Sequence, residues 1–147
     1  MFYILYGTQT GNAQRVAESI AEMLDQNEID HQIFDMSEFE PEQFLQISKL
    51  IIVTSTYGDG EPPDNAYECY EWLKFNQEDL SHMHYAVLGL GDTYYPHFCQ
   101  CGKDFDEFLS NGAAKSLIER MDCDLYFEET FPAWGEKLIQ AILSLNK

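Results

Sequence analysis

Three times in this chain an apolar run gives way to a short polar, glycine-bearing stretch, and each time residues with helical spacing follow. The first run is Phe2–Tyr6, cut off by Gly7. The second, Leu50-Ile51-Ile52-Val53, passes into Thr54–Glu61, and the third, Tyr85–Leu90, passes into Gly91–His97. Short runs of this kind, rich in β-branched and aromatic residues, predict strands buried on both faces. Val16, Ala17, Ile20, Ala21 and Leu24 recur at three and four residues, which predicts a helix opening at Gly11-Asn12. Asp64 is placed to cap a second helix reaching about Phe75. Phe98, Cys101, Phe105, Phe108 and Leu109 share one face of a third, which stops near Asn111-Gly112. Pro132 is expected to start a terminal helix with Trp134, Leu138, Ile142 and Leu145 on one face. Weaker signals predict an edge strand at His31–Asp35, a short helix from Pro41 to Gln46 and a fifth strand at Lys115–Arg120. Strands alternating with helices predict a parallel sheet covered on both faces, an α/β doubly wound fold.

Composition agrees and narrows the function. At 147 residues the chain fits one domain, and 45% hydrophobic with 23% charged residues is ordinary for a globular protein. Met1–Tyr6 lacks the basic flank and long apolar core of a signal peptide, and no apolar run approaches membrane-helix length, so a cytoplasmic location is expected. Cys69, Cys99, Cys101 and Cys123 form no C-x-x-C pair and are expected to be reduced thiols. With 26 acids against 8 bases the net charge is −18, which argues against nucleic acid and against anionic membranes as partners. Between Tyr57 and Asp79 stand seven acids and one base, Lys74, a density suited to steering a basic protein partner.

In doubly wound sheets, ligands bind at the carboxyl ends of the strands. If the three polar stretches meet at one sheet edge, they form one site. The first, Thr8-Gln9-Thr10-Gly11-Asn12, offers hydroxyl, amide and backbone donors ahead of a helix, and no Lys or Arg lies between Met1 and Gln14. Such a loop holds a phosphate with dipoles rather than with full charges. Taken alone, it serves equally as an ordinary Gly/Thr turn before a helix. It is not a Walker loop, since Gly7 and Gly11 are too close and no Lys follows, and it lacks the G-x-G-x-x-G spacing of a dinucleotide loop. The second and third stretches each set an aromatic beside a glycine and an acid. Tyr57 and Tyr95 are therefore candidates to sandwich a flat ring, the alternative being ordinary core or surface tyrosines. No nucleophile–base pair and no metal cluster stands out, so no catalytic residue and no metal ligand is assigned. His97 is read as a packing or backbone contact.

Nearly the whole chain resembles the flavodoxins, small carriers that bind flavin mononucleotide (FMN). Gly7-Thr8-Gln9-Thr10-Gly11-Asn12-Ala13 is similar to the family's phosphate loop. Ser55-Thr56-Tyr57-Gly58-Asp59-Gly60 and Gly91-Asp92-Thr93-Tyr94-Tyr95-Pro96-His97-Phe98-Cys99 are similar to its two ring loops. Gly58–Ala66 also resembles the FMN modules of diflavin reductases and sulfite reductase flavoproteins, and the chain as a whole resembles short, stand-alone flavodoxins of the MioC type. The resemblance implies a five-stranded parallel sheet in the order 2-1-3-4-5 and noncovalent FMN. It implies that Thr8, Gln9, Thr10, Asn12 and Ala13 hold the phosphate, with Gly11 allowing close approach. Tyr57 and Tyr95 would flank the isoalloxazine, and Leu90, Gly91 and Asp92 would meet its pyrimidine edge. The Gly58–Asp59 peptide would lie near N5, and His97, Phe98 and Cys99 would be among the cofactor-binding residues, Cys99 as a wall residue rather than a redox thiol. MDCDLYFEE, 121–129, only loosely resembles the acidic loop of the reductase modules and is assigned no contact, and nothing resembles the insertion of long-chain flavodoxins.

These features imply a monomeric one-electron carrier that takes electrons from a separate NAD(P)H-dependent flavoprotein reductase. It would pass them through its acidic surface to an acceptor protein with a basic face. The alternatives are a flavin-dependent reductase with its own substrate, and a phosphoacceptor receiver domain. The last wants an Asp where the third strand instead ends in Thr54-Ser55-Thr56. A ring site bearing Asp59 and Asp92 without a cation should resist the second electron. A carboxylate at about 8 Å, with an effective dielectric of about 40, contributes about 1 kcal/mol, or ~45 mV for one electron. Asp59→Asn is accordingly expected to raise the potential of the second one-electron step by about 45 mV in a redox titration, and an unchanged potential would refute the charge argument.

Overall fold

Successive side chains along the central strands enter two separate apolar layers, and this sets the architecture. The computed structural model describes residues 1–8, 10–56 and 60–145. Its strands are β1 (Phe2–Gly7), β2 (His31–Asp35), β3 (Lys49–Ser55), β4 (His84–Leu90), β5 (Lys115–Ser116) and β6 (Met121–Cys123). Its helices are α1 (Asn12–Gln26), α2 (Tyr67–Phe75), α3 (Gln100–Asn111) and α4 (Phe127–Leu145). The sheet is parallel throughout, in the order β2-β1-β3-β4-β5, with β6 also paired to β4. Ile4, Ile51, Val53, Ala86 and Leu88 face α1 and α4, while Leu5, Leu50, Ile52, Tyr85 and Val87 face α2 and α3. The period-2 alternation of strands thus yields two sealed layers, which is why these runs read as unbroken apolar sequence. Strand β2, paired only with β1, is the most exposed of the long strands, as its weaker sequence predicts.

The helices depart from expectation at their ends. Helix α4 starts at Phe127, five residues before Pro132, because buried Phe127 anchors its first turn and Glu128 and Glu129 complement its positive end. Leu145 on the same helix is exposed, although Trp134, Leu138 and Ile142 are buried as expected. Asp64–Ala66 forms one 3-10 turn rather than capping a helix directly, and α2 begins at Tyr67. Pro41–Leu45 is likewise a 3-10 turn. Phe98 stays outside α3, because Cys99 adopts a left-handed conformation (φ 53°) and turns the chain just before the helix.

The expected strand at Lys115–Arg120 is broken. Between the pairs Tyr85↔Ser116 and Leu88↔Met121, Ala86 and Val87 lie opposite the four residues 117–120, so two residues leave the ladder. Trp134 holds this excursion by donating its indole N–H to the Glu119 carbonyl (2.9 Å), and Arg120 pairs with both Asp106 and Asp122. The sequence signal was apolar enough for a strand, but these side-chain partners replace the backbone ones.

Phe105, wholly buried on α3, meets Tyr70 edge-on at 5.7 Å between centroids and fills the α2/α3 layer. Phe105→Ala removes that volume from a layer that cannot collapse onto the sheet, and is expected to cost about 3–5 kcal/mol. Urea unfolding should show a lower midpoint at an unchanged slope.

Candidate functional site

Strand register brings the polar stretches together. Gly7 lies opposite Thr54, and Ser55 opposite Leu90, so the loops after β1, β3 and β4 leave the same sheet edge at nearly one level. They surround a cavity of about 590 Å3. Thr10 and Asn12 line it from the first loop, Ser55, Thr56 and Glu61 from the second, and Leu90 to Asp92 with Tyr95 and His97 to Cys99 from the third. Leu125 and Phe127, from the segment joining β6 to α4, complete the lining. No Lys or Arg is among these residues.

The first loop ends where α1 begins, and Gly11 makes the turn with φ 92°. That left-handed conformation strains any residue with a Cβ, although among the described residues beyond its chain neighbours no atom lies within 4 Å of where a Cβ on Gly11 would stand. Among the described residues helix α1 has no side-chain cap, and no acid in its own first turn competes for its leading N–H groups. Thr8 accepts the Gly11 N–H on Oγ1 (2.8 Å), which leaves its own hydroxyl proton free to be donated. Ala13 is wholly buried within the core layer, so its methyl contributes packing and only its backbone is available to an anion. Gln9 lies outside the described residues.

The second loop is tied to both neighbours. The Ser55 hydroxyl donates to the Gly7 carbonyl (3.3 Å), and the Thr56 N–H donates to the Leu90 carbonyl (3.2 Å). Thr56 Oγ1 accepts from the Cys101 N–H (3.1 Å) and so caps α3, a helix that supplies no side-chain cap of its own. Gly60 has φ 100°, and a Cβ there would stand 2.9 Å from His97 Cβ. The second and third loops therefore meet where only glycine fits. The expected ring-stacking Tyr57 and the Gly58–Asp59 peptide lie outside the described residues.

In the third loop, Asp92 accepts the Tyr94 N–H (2.9 Å), and its carbonyl accepts the Tyr95 N–H (3.0 Å), which folds the loop into a turn. Tyr95 lines the cavity with half of its surface open, and Tyr94 stands beside it at 85% exposure. The Gly91 N–H is held by the Cys123 carbonyl (2.9 Å), and a Cβ on Gly91 would crowd Cys99 and Phe98. Thr93 donates its N–H and hydroxyl to Asp124, at 3.2 and 2.6 Å. Hydrogen bonds from the Thr93 hydroxyl, Leu125 N–H and Thr93 N–H hold the Asp124 carboxyl below its ordinary value.

The 121–129 segment, to which the sequence assigned no contact, thus supplies part of the wall through Leu125 and Phe127. The signal that would have found it was present, for an acidic and aromatic stretch follows a strand here as in the other two loops. A neighbouring hollow of about 320 Å3 shares Asn12, Leu125 and Phe127 with the main cavity and adds Arg15, which is paired with Glu128 at 2.8 Å.

Chemically, the cavity offers uncharged donors from the first loop and apolar walls from the third loop and the segment joining β6 to α4. It suits a phosphorylated flat ring: the α1 N-terminus, Thr8, Thr10 and Asn12 fit a phosphate, and Leu90, Tyr95, Phe98 and Phe127 fit an aromatic face. The four cysteines are buried free thiols. Desolvation pushes Cys69, Cys99 and Cys101 up to about 12, and raises Cys123 as well. Since the thiolate is the reactive form, iodoacetamide at pH 8 is expected to modify these thiols only as fast as the chain opens. Rapid labelling of Cys99 in the native protein would contradict its role as wall packing.

The model of the family described as Flavodoxin matches residues 4–134. The sulfite reductase [NADPH] flavoprotein alpha-component of Bacillus subtilis is 41% identical over 140 residues, covering 95% of this chain but 23% of that protein. The chain therefore spans about a quarter of the length of the curated relatives it matches. Among solved structures, a flavodoxin of Streptococcus pneumoniae TIGR4 superposes with a TM-score of 0.81 at 29% identity, covering 95% of this chain and 97% of that one. Oxidised Flavodoxin 1 of Bacillus cereus superposes equally well, with a TM-score of 0.81 and the same coverage, at 22% identity, and so speaks for the fold alone.

Proposed function

The chain belongs to the flavodoxin family, whose cofactor is FMN, and we propose that residues 1–147 form one FMN-binding domain that carries single electrons between proteins. The observation that carries this reading is the cation-free cavity formed where the loops after β1, β3 and β4 converge. When bound, noncovalent FMN supplies one-electron chemistry. The protein's part is to hold it, exclude water and set its charge environment. The N–H groups at the start of α1, with the hydroxyls of Thr8 and Thr10 and the amides of Asn12 and of Gln9 (outside the described residues), would hold the phosphate. Tyr95, and Tyr57 outside the described residues, would flank the ring, and backbone groups of Leu90, Gly91 and Asp92 would meet its polar edge. The Gly58–Asp59 peptide, outside the described residues, would belong to the ring side of the site, and Cys99 and Phe98 would keep its inner wall dry.

The electron donor is a separate NAD(P)H-dependent flavoprotein reductase, and the acceptor is a redox protein with a basic face. Homology to sulfite reductase flavoproteins supports a reductase-linked role. The net charge of −18 supports a basic partner, with encounter rates that fall as salt rises. We place the chain in the cytoplasm as a monomer. Among the described residues, no helix is long and apolar enough to cross a membrane.

The test is a titration of the purified protein with FMN followed by stepwise reduction. One FMN is expected to bind per chain with quenching of its fluorescence, and reduction should proceed in two one-electron steps, the second below the potential of free FMN. A colourless protein that takes up no FMN overturns the proposal. Steady consumption of NAD(P)H by the loaded protein alone would favour a reductase with its own substrate instead.

A further inference from the structure

The 3-10 turn Asp64–Ala66 belongs to the loop that follows β3, yet it packs against the phosphate side of the cavity. Ala66 is wholly buried, and a Cβ on Gly7 would stand 2.7 Å from Ala66 Cβ. The next residue back, Asn65, accepts the Thr8 N–H on Oδ1 at 2.9 Å, across 57 positions of sequence. Its amide donates to Asp35 Oδ1 at 3.1 Å, at the end of β2. That same carboxylate oxygen accepts the N–H and the hydroxyl of Ser37, at 2.8 and 2.7 Å. The amide orientation of Asn65 is therefore fixed from both sides, oxygen toward Thr8 and nitrogen toward a carboxylate.

We propose that Asn65 is a positioning residue that braces the phosphate loop, a role that rests on the FMN reading above. Pinning the Thr8 N–H sets the start of the loop, and Thr8 Oγ1 in turn accepts the Gly11 N–H that opens α1. The chain Asp35–Asn65–Thr8–Gly11 thus orders the donors before a ligand arrives, which lowers the entropy lost on binding. Asparagine suits the position where aspartate does not. An Asp would face Asp35 and would set a negative charge beside an incoming phosphate. The loop that carries Asn65 also carries Gly60, packed on His97, and Glu61, in the cavity lining. One segment therefore fixes the phosphate side and touches the ring side.

The experiment compares FMN with riboflavin, which lacks the phosphate, on the full chain and on Asn65→Ala. The dissociation constant for FMN is expected to rise about fivefold or more, the effect of one bridging hydrogen bond, with that for riboflavin changing less than about twofold. In hydrogen exchange, the Thr8 amide should lose its protection. Asp35→Ala, which removes the far end of the brace, should show the same preference for weakening FMN at a smaller size. Parallel losses for both flavins, no loss for either, or a Thr8 amide that stays protected would overturn the proposal. So would failure of both variants to fold, which would assign the brace to the fold rather than to the loop. If the native chain binds no FMN, the functional reading falls, and Thr8 exchange alone still decides whether Asn65 holds the loop.

Discussion

The parallel register of β1, β3 and β4 is the constraint from which the site follows. With Gly7 level with Thr54 and Ser55 level with Leu90, three loops start side by side. A slip of two residues would keep every side chain on its proper face but move one loop by about 6–7 Å, out of reach of its neighbours. Burial alone does not prevent such a slip, because both faces of these strands are apolar. The polar ties at the strand ends do. Ser55 holds the Gly7 carbonyl, Thr56 holds Leu90 and caps α3 through the Cys101 N–H, and Gly91 is held by Cys123. The side chains that line the cavity thus also fix the register that creates it.

The chain carries a net charge of −18, yet the described residues lining the cavity include no Lys or Arg. Arg15 borders the site but is paired with Glu128, and Arg120 is taken up by Asp106 and Asp122. In the proposed site a phosphate would rest on helix N–H groups and hydroxyls, whose geometry must be right because no strong charge corrects for poor aim. This accounts for the bracing of the first loop from Asn65 and for a left-handed glycine at its end. Among the described residues that line the cavity no Lys or Arg would draw a second electron onto a bound ring.

Much of this was legible in the sequence where local chemistry and the fold agree. The three apolar runs, the helix opening at Asn12 and the weak edge strand depend on short-range periodicity and on a turn residue next in the chain. Readings failed where a distant partner decides. The expected strand at Lys115–Arg120 breaks after the Leu117 N–H has bonded the Tyr85 carbonyl, because Trp134 bonds Glu119 and Asp106 and Asp122 hold Arg120. Pro132 resembles a helix start but sits inside α4, because buried Phe127 starts the helix earlier. Phe98 shares the helical spacing of Phe105 yet stays in the loop, since the left-handed turn at Cys99 has no sequence signal.

The sequence by itself determined the alternation of strands and helices, the cation-free character of the first loop and the net charge of −18. These are properties of neighbouring residues or of totals, and need no coordinates. Only the tertiary structure decided that Leu125 and Phe127 complete the cavity, that Thr56 caps a helix of another loop, and that Asn65 holds Thr8 across the sheet edge. Each of these joins groups far apart in the chain. The free energy of such a contact depends on where the whole sheet places its ends, and no local pattern of residues encodes that.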